Sequence, residues 1–278
     1  DFGILFQPYV IHCIAFMLFL SCLKIDYGDV LHHLKNPMLI GYLTLTQLIA
    51  VPLILFYTTS VISQELAVAV LILTAIPAAM AGPTLTDLSK GNVSLALVIT
   101  TFTSLLCPFT IPLVMHYALG ENLTVSAESM MLSLAKIIFL PFAAAVVVRN
   151  AAKKQIEETK RYYSGVTIIL LMPIVMAPLA KYSTQIFQNL GEIIVFTIYM
   201  FLISAALHTI GWARIYWLRR EDKIASSVSS AYNNLSLAIV FSTQYFNPKI
   251  TLAVIAYELP WNLMLIPFKK SHQKTYIA

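Results

Sequence analysis

Long apolar segments without charged side chains alternate with short polar segments along the whole chain. No Asp, Glu, Lys or Arg occurs in six runs, residues 36–64, 66–86, 91–120, 162–180, 193–213 and 224–248. A helix needs roughly 20 apolar residues to cross the hydrocarbon of a bilayer. The runs lack the strict apolar–polar alternation of a membrane β-barrel, so they predict α-helices, which satisfy their own backbone groups.

The pattern predicts an all-α, polytopic integral membrane bundle of about nine transmembrane helices. We expect them near residues 6–24, 37–58, 67–87, 92–118, 129–148, 163–181, 192–213, 224–246 and 250–267. The loops between them are short and leave no room for a soluble domain. Because no basic segment precedes the first run, this run is interpreted as a span and not as a signal peptide.

Composition supports the membrane assignment. Of 278 residues, 59% are hydrophobic and 11% are charged, whereas soluble domains carry roughly 25% charged residues. A soluble fold of this composition would expose large apolar patches, which promote aggregation. Cys13, Cys22 and Cys107 form no metal-ligand spacing and are expected to be packing residues, so no metal site is predicted.

Basic residues fall almost wholly on one set of loops, which predicts the topology. The opposite loops hold Lys181 and Lys249, and Lys136 lies inside a span. The first set comprises Lys24, Lys35, Lys90, Arg149, Lys153, Lys154, Lys160, Arg161, Arg214, Arg219, Arg220, Lys223, Lys269, Lys270 and Lys274. By the positive-inside rule the chain lies in the cell membrane with its N-terminus outside and its C-terminus cytoplasmic. The net charge of +5 is thereby explained without a nucleic-acid partner.

Two predicted spans carry features that passive anchors lack. The third contains Pro77, Gly82 and Pro83, three helix breakers in IPAAMAGPTLTDLSKG, and unwound backbone is tolerated at membrane depth only where protein or water satisfies it. The eighth contains SSVSSAYNNLS at residues 226–236, in which seven of eleven residues are Ser or Asn. Such a tract either lines a polar cavity or makes hydrogen bonds between helices.

A pair of interrupted helices in corresponding halves of a chain points to a transporter's binding site at the midplane. Residues 1–278 then form a single transporter domain of two inverted repeats. The first repeat covers about residues 1–120 and lacks its first helix, and the second covers about residues 125–270. We expect the two breaks to meet at mid-bilayer around a wet cavity.

Ionisable groups within the predicted spans are few, and such groups are functional candidates by default. Glu258 could carry a proton or hold a cation. Lys136 and Asp87 could instead pair or extend toward an interface, and His116 and His208 are expected to form interfacial hydrogen bonds.

Five segments resemble the bile acid:sodium symporter family in its nine-helix form. They are QPYVIHCIAFMLFLSCLKIDYGDV, TLTQLIAVPL, PAAMAGPTLTDLSKGNVSLALVITTFTSLLCPFTIPL, LAKIIFLPF and YNNLSLAIVFS. The Lys-Gly-Asn turn in the third segment carries most of the resemblance. It implies a panel of helices beside a core in which two unwound helices cross. It also implies transport of amphipathic organic anions, coupled in many members to sodium entry.

The resemblance is carried over residue by residue. Gln47, Thr100 and Asn234 match cation or substrate contacts of the family, and Asn233 replaces a glutamine of the second sodium site. Other positions depart from the family: Gly82 and Pro83 replace a Ser-Asn pair, Ala96 replaces a sodium-binding serine, and Ser229 replaces the acidic residue shared by both sodium sites. These losses predict an absent first sodium site and a weakened second one.

The resulting function is a secondary active transporter of small organic anions, with sodium coupling altered or replaced by a proton at Glu258. The expected substrate-binding residues are Thr84, Ser230, Asn233, Asn234 and Asn262. The expected ion-coupling residues are Gln47, Thr100, Ser229, Asn233 and Glu258. Beyond Na⁺ or H⁺ no cofactor is expected, and the partners are the lipid bilayer and the anion.

Two alternatives stay open at this point. An arsenite efflux-type carrier shares the architecture, but its chemistry needs a cysteine thiolate where this chain has Ala78. A receptor or sensor that binds without transport is the other, although no soluble output domain is present. An enzyme is not expected, because the chain has no Ser-His-Asp order, HExxH or nucleotide-binding loop.

Overall fold

The structure, a computed structural model, describes residues 2–24, 36–120 and 125–273. These residues are helical apart from turns and one isolated antiparallel bridge between Ala78 and Asn233, which confirms the predicted all-α class. Lys35 and Lys274, two of the basic residues used to predict topology, lie outside the described residues.

The first half of the chain contains a 3-10 helix at Phe2–Tyr9 and six α-helices. They are α1 Val10–Leu23, α2 Pro37–Leu45, α3 Val51–Ser60, α4 Gln64–Ala75, α5 Gly82–Leu88 and α6 Val93–Leu119. The second half contains α7 Ala127–Ala151, α8 Lys153–Lys181, α9 Ser183–Gln188, α10 Leu190–Ala213, α11 Arg220–Ala231, α12 Leu235–Tyr245, α13 Pro248–Ala256, α14 Glu258–Leu263 and α15 Leu265–Gln273.

Side-chain caps define many helix starts. An oxygen of Ser or Asn at the cap accepts a backbone N–H in the first turn, which satisfies one of the orphan donors there. The caps with this bond are Asn36, Ser63, Asn92, Ser126, Asn234 and Asn247. The polar residues that separate the apolar runs therefore mark where helices begin.

Five helical segments of the described chain are long and apolar enough to cross a membrane, and seven qualify if each of two bent helix pairs counts as one span. Gln64–Ala75 and Leu235–Tyr245 are apolar but too short alone, because each is half of a broken span. The count of nine stays a prediction. Helix α8 begins ten residues before the predicted span at residue 163, because the polar segment ahead of it, with its Lys160–Glu157 ion pair, also folds as a helix.

Apart from the short helix α9, which connects α8 to α10, the helices pack in two groups. The panel consists of the 3-10 helix, α1, α7 and α8, in which α1 lies against both α7 and α8. The core bundle consists of α2–α6 and α10–α15, in which α11 packs on α5, α6 and α10. Burial differs between the groups: 67% of the apolar window of α6 is buried, but only 22% of that of α7. The core bundle thus holds the protected interior.

A wide turn interrupts the span between α2 and α3. Residues Thr46–Ala50 form a π-helical turn, which ends two residues before Pro52. A proline inside a helix cannot donate to the carbonyl four residues earlier, and its ring crowds that carbonyl. Such π-turns often occur at functional sites, and this one contains Gln47, which is buried.

Candidate functional site: the helix crossover

Both broken spans unwind at their midpoints, and the two unwound segments lie against each other. We call residues 76–81 and 232–234 the crossover. Helix α4 ends because Ile76, at ψ 149°, precedes Pro77, and the residue before a proline is pushed toward extended backbone. Helix α5 then restarts with Pro83 in its first turn, where a missing N–H costs nothing.

The freed backbone groups of the two breaks satisfy each other. Ala79 N–H donates to the carbonyl of Tyr232 at 2.7 Å, and Asn234 N–H donates to that of Pro77 at 2.9 Å. These two bonds flank the Ala78–Asn233 bridge. In addition, Ala78 N–H donates to Thr103 Oγ1 at 3.2 Å. The breaks predicted from the sequence therefore meet in space, as a two-stranded contact inside a helical bundle.

Two aromatic side chains donate hydrogen bonds to backbone carbonyls at the second break. Tyr257 Oη donates to the carbonyl of Ala231 at 2.8 Å, and Trp261 Nε1 donates to that of Asn233 at 3.2 Å. Neither residue is among the site residues predicted from the sequence. Their signal was the i, i+4 spacing in YELPWN, which places both rings on the same helical face.

Four buried oxygens around the crossover have no hydrogen-bond partner among the described protein atoms. They belong to the side chains of Thr100, Ser229, Tyr232 and Asn233, each at most 2% exposed. A Cβ atom built on Gly82 would lie 3.4 Å from Thr100 Oγ1, so this hydroxyl faces the start of α5. Because buried polar atoms in proteins are nearly always paired, such oxygens are suited to hold a ligand, an ion or water.

Gln47 connects the crossover helices to a charged residue. Its Nε2 donates to the carbonyl of Ser229 at 2.6 Å, and its Oε1 accepts from Arg214 Nη2 at 3.2 Å. From the sequence, Arg214 is predicted only as a cation of a cytoplasmic loop. The available signal in the sequence was the position of Arg214 directly after the apolar run of α10. The direction in which its side chain points depends on tertiary packing.

Two of the predicted binding residues have local structural roles. The side chain of Asn234 caps α12 by accepting from Leu237 N–H at 3.2 Å. Ser230 Oγ donates to the carbonyl of Ser226 at 2.8 Å and faces Gly211, on which a Cβ atom would lie 2.8 Å from this hydroxyl. That glycine is required for the close approach of α10 to α11.

Three other predicted residues lie apart from this hydrogen-bonded centre. Thr84 is exposed on α5. On α14, Asn262 Nδ2 donates to the carbonyl of Glu258 at 2.7 Å and to its Oε2 at 3.3 Å. Glu258 makes no hydrogen bond to the crossover segments as described, so the structure pairs it with Asn262 and not with Ser229.

A cavity of about 120 Å³ lies between the panel and the core bundle. Its lining combines residues from the start of the chain, from the end of α8 and from α12: Gln7, Val10, Ile11, Ala177, Pro178, Val240, Thr243 and Gln244. Because α12 begins at the crossover and contributes Val240, Thr243 and Gln244, the cavity lies beside the end of this half-helix that is away from the crossover.

Comparison with known proteins agrees with this architecture. Residues 3–261 match the sequence model of the SBF-like CPA transporter family. A Bacillus subtilis protein named uncharacterized sodium-dependent transporter YocS is 22% identical over 246 residues, which are 87% of this chain and 76% of that protein. A rice protein named probable sodium/metabolite cotransporter BASS2, chloroplastic, is 23% identical over 78% of this chain. The chain spans only half the length of that plant relative.

Proposed function

We propose that this chain, which belongs to the SBF-like CPA transporter family, is a secondary active transporter of small organic anions that works by alternating access. The family match confirms the resemblance drawn from the sequence. It also confirms the expectation that the protein is not an enzyme, because the family is one of membrane transporters. The bilayer and a small solute are accordingly its partners.

The pairing of Ala78 with Asn233 is the observation that carries the proposal. Unwound backbone inside a membrane protein is costly unless it is satisfied or lines a cavity. Here the chain keeps two such breaks, joins them by two backbone hydrogen bonds and surrounds them with oxygens that lack partners. A bundle built only for packing would need neither the breaks nor these oxygens.

The anion would bind at the second break. Helix α12 begins at Asn234, and the N-terminus of a half-helix attracts a carboxylate through its unpaired N–H groups and dipole. The nearest side-chain donor is Asn233 Nδ2, whose bond to the carbonyl of Ser230 is long at 3.4 Å and would be exchanged for one to the carboxylate; Ser230 lies one turn earlier. Thr84 and Asn262, which are more exposed, would line the approach to this site.

Coupling to sodium would be altered. Sodium prefers several oxygens and a nearby carboxylate, which offsets its charge in a low dielectric. Ser229 Oγ, Thr100 Oγ1 and Asn233 Oδ1 are neutral oxygens, and the carboxylate of Glu258 is bonded to Asn262. Glu258 begins α14 directly after the helix break at Tyr257, a position from which it could carry a proton.

A proteoliposome uptake screen tests the function. Purified protein would be offered organic anions under an imposed sodium gradient and, separately, an imposed proton gradient. We expect accumulation of at least one anion, abolished by Asn233→Ala and unaffected by Asn189→Ala, a change on an exposed loop. Equal uptake by wild type and Asn233→Ala would contradict the proposed site. If sodium alone drives uptake and Glu258→Gln has no effect, the proton alternative fails.

A further inference from the structure

Arg214 presents an unusual electrostatic arrangement, separate from the unpartnered oxygens. It caps the C-terminal end of α10, and its guanidinium extends between α2, the π-helical turn and α11. There it reaches the carbonyl of Leu43, Thr46 Oγ1, Gln47 Oε1, and both Oγ and the carbonyl of Ser226. The distances range from 2.8 Å to 3.4 Å.

Every donor of this guanidinium has an acceptor. Arginine carries five N–H donors. In this structure Nε bonds Ser226 Oγ, Nη1 bonds Leu43 and Thr46, and Nη2 bonds Gln47 and the Ser226 carbonyl. No donor is left for the carboxylate of a substrate. Arg214 is therefore not arranged as an anion receptor.

All five acceptors are neutral, so the positive charge is not compensated by a carboxylate within the described part of the chain. Arg214 is partly buried, and removing a charge from water is costly unless neighbouring oxygens solvate it. A ring of carbonyl, hydroxyl and amide oxygens around a cation is the coordination that a protein offers to a bound metal ion. Its position at the C-terminus of α10 adds the negative end of that helix dipole.

Gln47 extends this arrangement to the crossover. A carbonyl near the C-terminal end of a half-helix is a usual ligand for a coupling cation in transporters with broken helices. Here the carbonyl of Ser229, two residues before α11 ends, already accepts from Gln47 Nε2 at 2.6 Å. The side-chain oxygen of Gln47, Oε1, accepts from Arg214. Both oxygens that a mobile cation would use at this place therefore already accept a hydrogen bond.

We propose that Arg214 is a tethered cation that takes the place of a bound coupling ion behind the crossover, so that this half of the site works without sodium. The role of Arg214 in coupling rests on the proposed transport function. Whether Arg214 replaces a bound cation can be tested without measuring transport. Removal of the guanidinium leaves a set of neutral oxygens that a small free cation can fill.

The first test measures thermal unfolding of the purified full chain in sodium chloride and in choline chloride, with and without millimolar guanidinium. We expect wild type to unfold at the same temperature in both salts. Arg214→Ala should unfold at a lower temperature in choline, and sodium or guanidinium should raise that temperature. Arg219→Ala, an exposed arginine at the start of α11, is the matched control and should behave as wild type.

Two variants keep the test decisive if Arg214→Ala does not fold. Arg214→Lys retains the charge and should be insensitive to sodium, whereas Arg214→Gln loses the charge and should be stabilised by it. Selective stabilisation of wild type by sodium would overturn the proposal. Neutral variants that respond to neither sodium nor guanidinium would do the same.

The second test repeats anion uptake after replacement of sodium by choline. Wild type should transport equally in both, and the neutral Arg214 variant should transport only with sodium or guanidinium present. If wild type requires sodium, the tethered-cation proposal fails while the transport function stands. If no anion moves, the transport function fails, and the unfolding temperatures still decide whether Arg214 replaces a cation.

Discussion

The two breaks of the crossover reach the same backbone geometry by different chemistry. In the first, residues 76–81, conformation alone unwinds the helix: Pro77 ends α4, and Gly82 with Pro83 starts α5. This segment, IPAAMA, has no polar side chain. In the second, residues 232–234, no proline or glycine is present, and the asparagine side chains support the unwound backbone.

The two breaks therefore have different roles. The first break is a backbone template whose carbonyls and N–H groups align the second break. The second break supplies side chains, of which Asn234 is used as a cap and Asn233 keeps a free acceptor. Substitutions in the first break should therefore damage folding, and substitutions in the second should separate into structural and functional effects.

The largest effect is expected from Ala79→Pro. This change removes the N–H that Ala79 donates to Tyr232 and leaves a buried carbonyl with one bond fewer. We expect a loss of about 1–3 kcal/mol from the carbonyl that loses its donor, increased by the crowding of the proline ring against that carbonyl, seen as aggregation or a lower unfolding temperature in detergent. Ala79→Gly keeps the N–H and is the control. If the proline variant is as stable as the glycine variant, the backbone pairing is not what holds the breaks together.

Removal of the aromatic supports should have a smaller effect. Trp261→Phe deletes the Nε1–H that bonds the Asn233 carbonyl, and Tyr257→Phe deletes the hydroxyl that bonds the Ala231 carbonyl. Each change leaves a buried acceptor and should cost about 1–3 kcal/mol. Thermal unfolding of the two single variants and the double variant measures this cost. Unchanged unfolding temperatures would show that water or another donor replaces these bonds.

The two neighbouring asparagines should separate stability from activity. Asn234→Ala removes the cap of α12 and should destabilise the protein by about 1 kcal/mol, and Asn234→Ser should recover most of that loss. Asn233→Ala should change stability less and abolish uptake. The comparison of unfolding temperature with uptake rate checks this assignment. The reverse result, with Asn233 needed for stability and dispensable for uptake, would show that Asn233 is not the binding residue.

The smallest effect is expected from an exposed ion pair far from the crossover. Lys249 Nζ lies 2.6 Å from Glu192 Oε1 and 3.9 Å from Glu65 Oε1, with its side chain 44% exposed. Such pairs contribute about 0–1 kcal/mol and are screened by salt. Lys249→Met should thus lower the unfolding temperature slightly at low salt and not at high salt. A large, salt-independent loss would show that these helix starts are more tightly coupled than their exposure implies.

The breaks were predictable because their causes are local. Pro77 restricts Ile76 whatever surrounds it, and a Ser/Asn tract in an apolar span signals a polar contact at any position. What the sequence could not show was which side chains meet. Arg214 sits at the end of α10, and its contacts with Gln47 and Ser226 depend on how three separate helices pack.

Glu258 also shows that the sequence does not determine which side chains meet, here for a contact that was predicted and is not made. From the sequence, its carboxylate is predicted to supply the negative charge that Ser229 lacks. Its side chain is instead bonded one turn along its own helix, to Asn262, while the crossover is reached from α13 and α14 by Tyr257 and Trp261. Neighbours in sequence on a helix point about 100° apart, so proximity along the chain does not determine which residue faces the site.

The measurement that tests the account most directly is a disulfide between the two breaks. Ala78 and Asn233 are opposite each other but share no backbone hydrogen bond, since the flanking residues make the two bonds. The Cα atoms of such a pair are about 4.5 Å apart, within the range that disulfides span. With Cys13, Cys22 and Cys107 first replaced by alanine, Ala78→Cys with Asn233→Cys should cross-link under mild oxidation. Mass spectrometry of the digested protein would identify the joined peptides. A folded protein in which this pair stays reduced, as the remote pair Ala78→Cys with Asn247→Cys should, would contradict the crossover.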